Sequence, residues 1–235
     1  NELRHYFPSD QAVLLLFEGV ALYSEGFAVA FKELADKLSS NPLIDDVINM
    51  TTQDHISGTE DGFIVEPLVN VKTLDKTRAT ERQQRAFSDR FAQNTLVALD
   101  GSAVAMLVIP VEINSSLERL ALEDQILETI ASVNLDGYLK GMEGQITTDV
   151  AQMRSMLQDN MIFIPATTVI GLLLIWWLFH RWLAVIVAGV VIGVVVSSTV
   201  AFYVLFNQPF NLISSIIPPL LSALTVAALV HLFNA

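Results

Sequence analysis

The stretch Met161-Ile-Phe-Ile-Pro-Ala-Thr-Thr-Val-Ile-Gly-Leu-Leu-Leu-Ile-Trp-Trp-Leu-Phe179 is nineteen residues long and carries no charge. At about 1.5 Å per residue, a helix of that length measures about 28 Å, close to the ~30 Å hydrocarbon core of a bilayer. Two further stretches, 182–206 and 212–233, are uncharged apart from His231 and are of similar or greater length. Three transmembrane helices are predicted, with connections of a few residues. Working outward, charge divides the chain: all 25 Asp and Glu precede residue 160, and of the 13 Lys and Arg only Arg181 follows it. Residues 1–159 therefore hold 12 − 25 = −13, an acidic solvated domain, and 160–235 an all-α transmembrane bundle. A hydrophobic content of 52% and a mean hydropathy of +0.50 are too apolar for an ordinary soluble chain. The acidic balance argues against nucleic-acid binding, because phosphates would be repelled. The chain has no cysteine, so disulfides, thiolate metal sites and cysteine nucleophiles are excluded.

Loop charges set the expected orientation. Lys and Arg are retained on the cytoplasmic side; the first connection holds His180 and Arg181, and the second, Asn207-Gln-Pro-Phe-Asn211, holds no charge. Arg181 is thus expected inside, flanked by an aromatic belt of Trp176, Trp177 and Trp182, with residues 1–159 outside the cytoplasm. An exported domain needs an anchor or signal ahead of it, so a further transmembrane helix is expected before Asn1.

Within the second span, Gly189 and Gly193 have the GxxxG spacing that permits close helix approach, or mark an ordinary packed helix. In the third, Pro218 and Pro219 are expected to interrupt the helix, while Ser222, Thr225 and His231 add polar groups. Proline removes backbone donors that lipid cannot replace, so this helix should face protein or a water-lined cavity.

The acidic region alternates strands and helices. Residues 11–18 contain Ala12-Val-Leu-Leu-Leu-Phe17, an apolar run of strand length. Phe27, Phe31, Leu34 and Leu38 share one helix face, opened near Ser24 and stopped by Ser39-Ser-Asn-Pro42. Strands are predicted at 46–51 and 102–111. Ser115 and Glu118 have capping-box spacing ahead of Leu122, Ile126, Ile130 and Val133. A last strand is predicted at 137–143. The order β-α-β-β-α-β is that of the α+β ferredoxin-like unit, a four-stranded sheet with two helices on one face. The insertion 53–101 is too long for a bare loop and should hold elements of its own, including a strand at 63–69. From Ile146 the spacing Ile146, Val150, Met153, Leu157 predicts a helix running on into the first span.

Lys72, Lys76, Arg78, Arg82, Arg85 and Arg90 crowd into the insertion. They fit either a site for an anionic lipid or partner, or a solvated face balanced by Asp75, Glu81 and Asp89. Histidines 5, 55, 180 and 231 show no metal-ligand spacing, and no nucleotide-binding or hydrolase motif occurs. No catalytic, cofactor or metal residue is assigned, and an enzyme is not expected.

A domain of this kind feeding a hydrophobic bundle resembles half of a resistance-nodulation-division (RND) superfamily transporter, most nearly its hydrophobe- and lipid-exporting MMPL branch. Phe210-Asn-Leu-Ile-Ser-Ser-Ile-Ile-Pro-Pro-Leu220 is similar to the start of the family's helix 4, and Val226-Ala-Ala-Leu-Val-His-Leu232 to its V-D-Y-A-I-H-L stretch. The resemblance implies a periplasmic porter domain at 1–159 and helices 2, 3 and 4 at 161–179, 182–206 and 212–233, in a bacterial inner membrane. It implies efflux of hydrophobic or amphiphilic molecules or lipids, and a homo-oligomer or a periplasmic accessory protein as partner. One departure stands out: Ala227 occupies the position of the family's intramembrane Asp, which would carry protons, so coupling must lie elsewhere. Ser222, Thr225, Ala227 and His231 are the intramembrane positions to examine. A sterol-sensing-like membrane receptor is the alternative, since an acid-free site would suit it.

Overall fold

A computed structural model describes residues 11–59, 62–93, 95–206 and 216–234. In chain order its regular elements are β1 (Val13–Glu18), α1 (Glu25–Ser39), β2 (Ile44–Ile48), β3 (Asp54–Thr59), β4 (Gly62–Pro67) and α2 (Ala79–Ser88). There follow β5 (Ala103–Pro110), α3 (Ser116–Ser132), β6 (Leu139–Gly144), α4 (Gln145–Phe179), α5 (Trp182–Leu205) and α6 (Ile217–Asn234). They fall into two compact units: Asn1–Ile113 with Arg119–Thr148, and Asn114–Glu118 with Asp149–Ala235.

The first unit is built on β1. Its period-two alternation buries Val13, Leu15 and Phe17, while Leu14 and Glu18 stay on the other face. β1 pairs with β5 and β6, and β5 with β2, giving the order β2-β5-β1-β6 with every neighbour antiparallel. Ser24 caps α1, its hydroxyl accepting from the Phe27 amide at 3.2 Å. The expected face of α1 is the buried one: Phe27, Phe31, Leu34 and Leu38 are all interior. Phe31 meets Phe17 edge-on at 5.2 Å and stacks on Phe27 at 5.0 Å, so aromatic packing ties α1 to the sheet. Leu122, Ile126 and Ile130 of α3 are buried as expected, and Ser115 accepts from the Glu118 amide at the helix start.

The second strand differs from expectation: it covers Ile44–Ile48 rather than 46–51. Side chains end it. Asn49 Oδ1 accepts from the Thr51 amide at 2.6 Å, and the Thr52 hydroxyl accepts from the Asn49 amide and donates to the Val47 carbonyl, both at 2.9 Å. Such local bonds divert backbone groups from the ladder into a turn. The insertion holds the antiparallel ribbon β3–β4, with Ile56 opposite Val65 and Gly58 opposite Phe63, followed by a 3-10 turn (Val71–Lys76) and α2. The strand expected at 63–69 closes at Pro67. Leu68 and Val69 then return to the core, their amides bonding the Gln53 and Met50 carbonyls. The last strand starts later than expected, after a 3-10 turn at Asp136–Tyr138.

Among the described residues, the second unit contains three helices long and apolar enough to cross a membrane. The first belongs to α4, which is continuous for 35 residues from Gln145. His180, with φ of 51°, closes α4 by donating its amide to the Trp176 carbonyl at 2.8 Å, and α5 begins two residues later. In the third span the described helix is Ile217–Asn234, and Pro218 and Pro219 are its second and third residues. Its predicted start at 212–215, the loop 207–211 and most of the helix 4-like segment lie outside the described residues, as does His5.

Candidate functional site

Among the described residues, accessible apolar surface borders a cavity in each unit. In the head, Leu14 and Leu16 of β1 point away from the helices, beside Ala103 and Ala105 of β5, to which their partners in register belong. The segment 95–100 borders them. It extends the sheet alongside the first half of β5: Ala105 donates to the Leu96 carbonyl at 2.8 Å and Ala98 to the Ala103 carbonyl at 3.0 Å. The result is a cleft of about 540 Å³, lined by Leu14, Leu16, Leu99 and neighbouring aliphatic residues. Its rim is a tight turn. Asp100 accepts from the Ser102 amide (3.0 Å) and hydroxyl (2.6 Å), which holds its carboxyl below the usual range. Gly101 has φ of +71°, and a Cβ there would lie 2.5 Å from Gln83 Nε2, so the turn requires glycine. β1 reads as a continuous apolar run, unlike a strand with one wet face, and the cleft is where its outer leucines go.

In the membrane unit, Ile175, Ala188 and Leu229 are buried together, with Leu172, Val226 and Phe233 packed around them. Between α5 and α6 runs an apolar groove of about 390 Å³, lined by Val191, Val195, Leu224, Thr225, Ala228 and Leu232. The sequence-selected positions divide here. Ser222 is buried and donates to the Pro218 carbonyl at 3.0 Å; Thr225 borders the groove and donates to the Leu221 carbonyl at 2.7 Å. Ala227 and His231, one turn apart, lie together on an exposed face of α6. Ser222 and Thr225 are thus brought toward the other helices, whereas Ala227 and His231 are not.

The close helix contact lies elsewhere than at the GxxxG pair. A Cβ on Gly193 would meet nothing within 4 Å, and one on Gly189 would only touch Leu172 at 4.0 Å. At Gly171 of α4 it would lie 2.6 Å from Val226 Cγ2, so the crossing of α4 and α6 depends on that glycine. Spacing on one helix carries no information about which face meets a neighbour.

In the basic cluster of the insertion Lys72, Lys76, Arg78 and Arg90 are exposed, whereas Arg82 and Arg85 have partners within the protein. Arg82, only 6% exposed, is clasped by backbone carbonyls: Tyr23 accepts from Nε at 2.9 Å and Nη2 at 2.7 Å, Leu74 and Thr77 from Nη1 at 3.2 and 2.5 Å. Above that clasp the Tyr23 phenol is buried and its pKa is pushed up to about 12, by burial first and then by the Asp100 charge. Arg85 pairs with Glu66 of β4, and Asp89 pairs with His55 of β3 at 2.7 Å instead of with an arginine. Glu81 accepts from the Arg78 amide at the start of α2. The links of Arg82 to Tyr23, Arg85 to Glu66 and Asp89 to His55 do not show in local sequence, since they join residues far apart in the chain.

No protein-family model and no curated protein matches this chain.

Proposed function

We propose that the chain is the first porter domain and transmembrane helices 2 to 4 of an RND-type exporter of the MMPL kind, moving hydrophobic or amphiphilic molecules, lipids included. The head is read as ferredoxin-like; the order β2-β5-β1-β6 with α1 and α3 between strands supports that reading. It lies on the periplasmic side of a bacterial inner membrane, a placement supported by Arg181 in the short connection after the first span.

The observation that carries the proposal is the cleft beside Leu14 and Leu16. An aliphatic cleft of about 540 Å³, on a domain joined to lipid-length helices, suits capture of an apolar molecule. Residues 160–235 contain no Asp or Glu, so a proton relay through carboxylates must involve other helices. Reconstituted full-length protein should move a hydrophobic dye or labelled lipid across liposomes under an imposed ion gradient. Absence of movement under every gradient overturns the proposal. The same acid-free spans favour a second reading, a sterol-sensing-like receptor, which predicts sterol binding by the bundle without transport.

A further inference from the structure

The cleft beside Leu14 and Leu16 is apolar along its walls and charged at one place. Leu14, Leu16, Leu96, Val97 and Leu99 supply aliphatic surface, and among the described residues Asp100 is the one charged side chain that lines it. Both bonds from Ser102 end on Asp100 Oδ1, which fixes the carboxylate and leaves Oδ2 to another partner. No cation among the described residues forms an ion pair with it. The charges nearby are also mainly acidic. Glu143 of β6 stands opposite Leu14 in register and so shares its face of the sheet, exposed. Glu18, opposite Ala103 at the other end of β1, meets Lys140 only at a loose 3.7 Å. Three acids thus stand around the cleft against one base, and that base is already engaged.

We propose that the cleft takes cationic amphiphiles, with an aliphatic chain along Leu14 and Leu16 and an ammonium-type head against Asp100. Walls of low polarity beside charges of one sign focus the field, so a single unpaired carboxylate attracts a cation more strongly there than on an open surface. The Ser102 bonds hold the Asp100 carboxyl below its usual range, so it is ionised at neutral pH. An anionic head at the same place meets a like charge, and an uncharged one gains nothing from it. The inference rests on the reading of this cleft as the capture site and adds charge selectivity to it.

The test uses the full chain in nanodiscs of zwitterionic lipid, with three probes that share one tail: octyltrimethylammonium, octyl sulfate and 1-octanol. Hydrogen exchange of segment 95–100, read by mass spectrometry, reports occupation of the cleft. Half-maximal protection should need about three- to five-fold less of the ammonium than of the sulfate, the range of a partly exposed ion pair. The gap should narrow as salt is added. Asp100→Asn keeps an acceptor oxygen for Ser102 and should remove most of the gap, with octanol binding as before. Glu143→Gln, away from that turn, should narrow it less, and it carries the comparison if Asp100→Asn loosens the turn. Equal protection by ammonium and sulfate overturns the proposal and leaves the capture reading standing. So does a gap that survives both substitutions. Protection by none of the three probes overturns both.

Discussion

The head and the bundle use the same apolar side chains against opposite surroundings. In the head, alternation along β1 and the three-to-four spacing on α1 turn aliphatic and aromatic groups inward, where Leu15, Phe17, Phe31 and Leu34 are wholly buried. In the bundle they point outward: Trp177 is 68% and Leu183 74% exposed, as lipid permits and water does not. Polar groups differ too. Arg82, Asn49 and the His55–Asp89 pair join segments distant in the chain or close a turn in the head. The hydroxyls of Thr167, Thr168, Thr199, Ser222 and Thr225 each bond a carbonyl one turn back on their own helix. Head geometry is thus specified partly by polar links, and bundle geometry almost wholly by shape.

The sharpest way to break this contrast is to truncate one buried and one outward side chain. Phe31→Ala removes the ring that meets both Phe17 and Phe27, and should cost the head about 3–5 kcal/mol, measured by urea unfolding in detergent. Leu183→Ala, on the outer face of α5, should cost under about 0.5 kcal/mol in the same assay. Equal effects would mean that the outward face of the bundle is covered by protein instead of lipid.

Charge insertion tests the surroundings directly. Leu173→Arg places a guanidinium on an exposed position in the middle of the first span. It should reduce insertion by about 2.5–3.5 kcal/mol, read by glycosylation mapping of the span in microsomes. Unimpaired insertion would remove α4 from the membrane.

Shape specificity in the bundle is sharpened by two glycines. Gly171→Leu forces Val226 aside and should cost about 1–3 kcal/mol, seen as lower thermal stability in detergent. Gly193→Ala, whose Cβ would meet nothing within 4 Å among the described residues, should leave stability unchanged. The reverse order would restore the GxxxG pair as the packing site.

The contrast also explains what was legible in the sequence. Periodicity exposed α1 and α3, because burial of one helix face imposes a local spacing, and the length of uncharged apolar runs exposed β1 and the three apolar helices. Gly171 was passed over because its meaning depends on Val226, 55 positions away and on another helix. His55 looked solitary because its acid, Asp89, lies 34 positions on. The C-terminal end of β2 differs from expectation because Asn49 and Thr52 stop the strand by bonds to backbone that no apolar pattern records.

The smallest expected effect is on the acid side of the ribbon, where polar links alone can respond. Burial raises the Asp89 carboxyl, but the His55 bond and the amides of Ala92 and Phe91 outweigh it, and its net position is below the usual carboxylate range. Glu66 is lowered as well, by the Arg85 hydrogen bond first. A carboxyl lowered in the folded state contributes stability that is present above its unfolded pKa and is lost as pH falls through the folded value. Both contributions therefore vanish in the window below about pH 4, where the unfolded carboxyls already bind protons. Hydrogen exchange read by mass spectrometry should show ribbon protection falling there by a small factor ahead of the sheet, and Glu66→Gln should remove part of that acid response. The spans, which hold no carboxylate after residue 160, should show no such profile in the same exchange experiment.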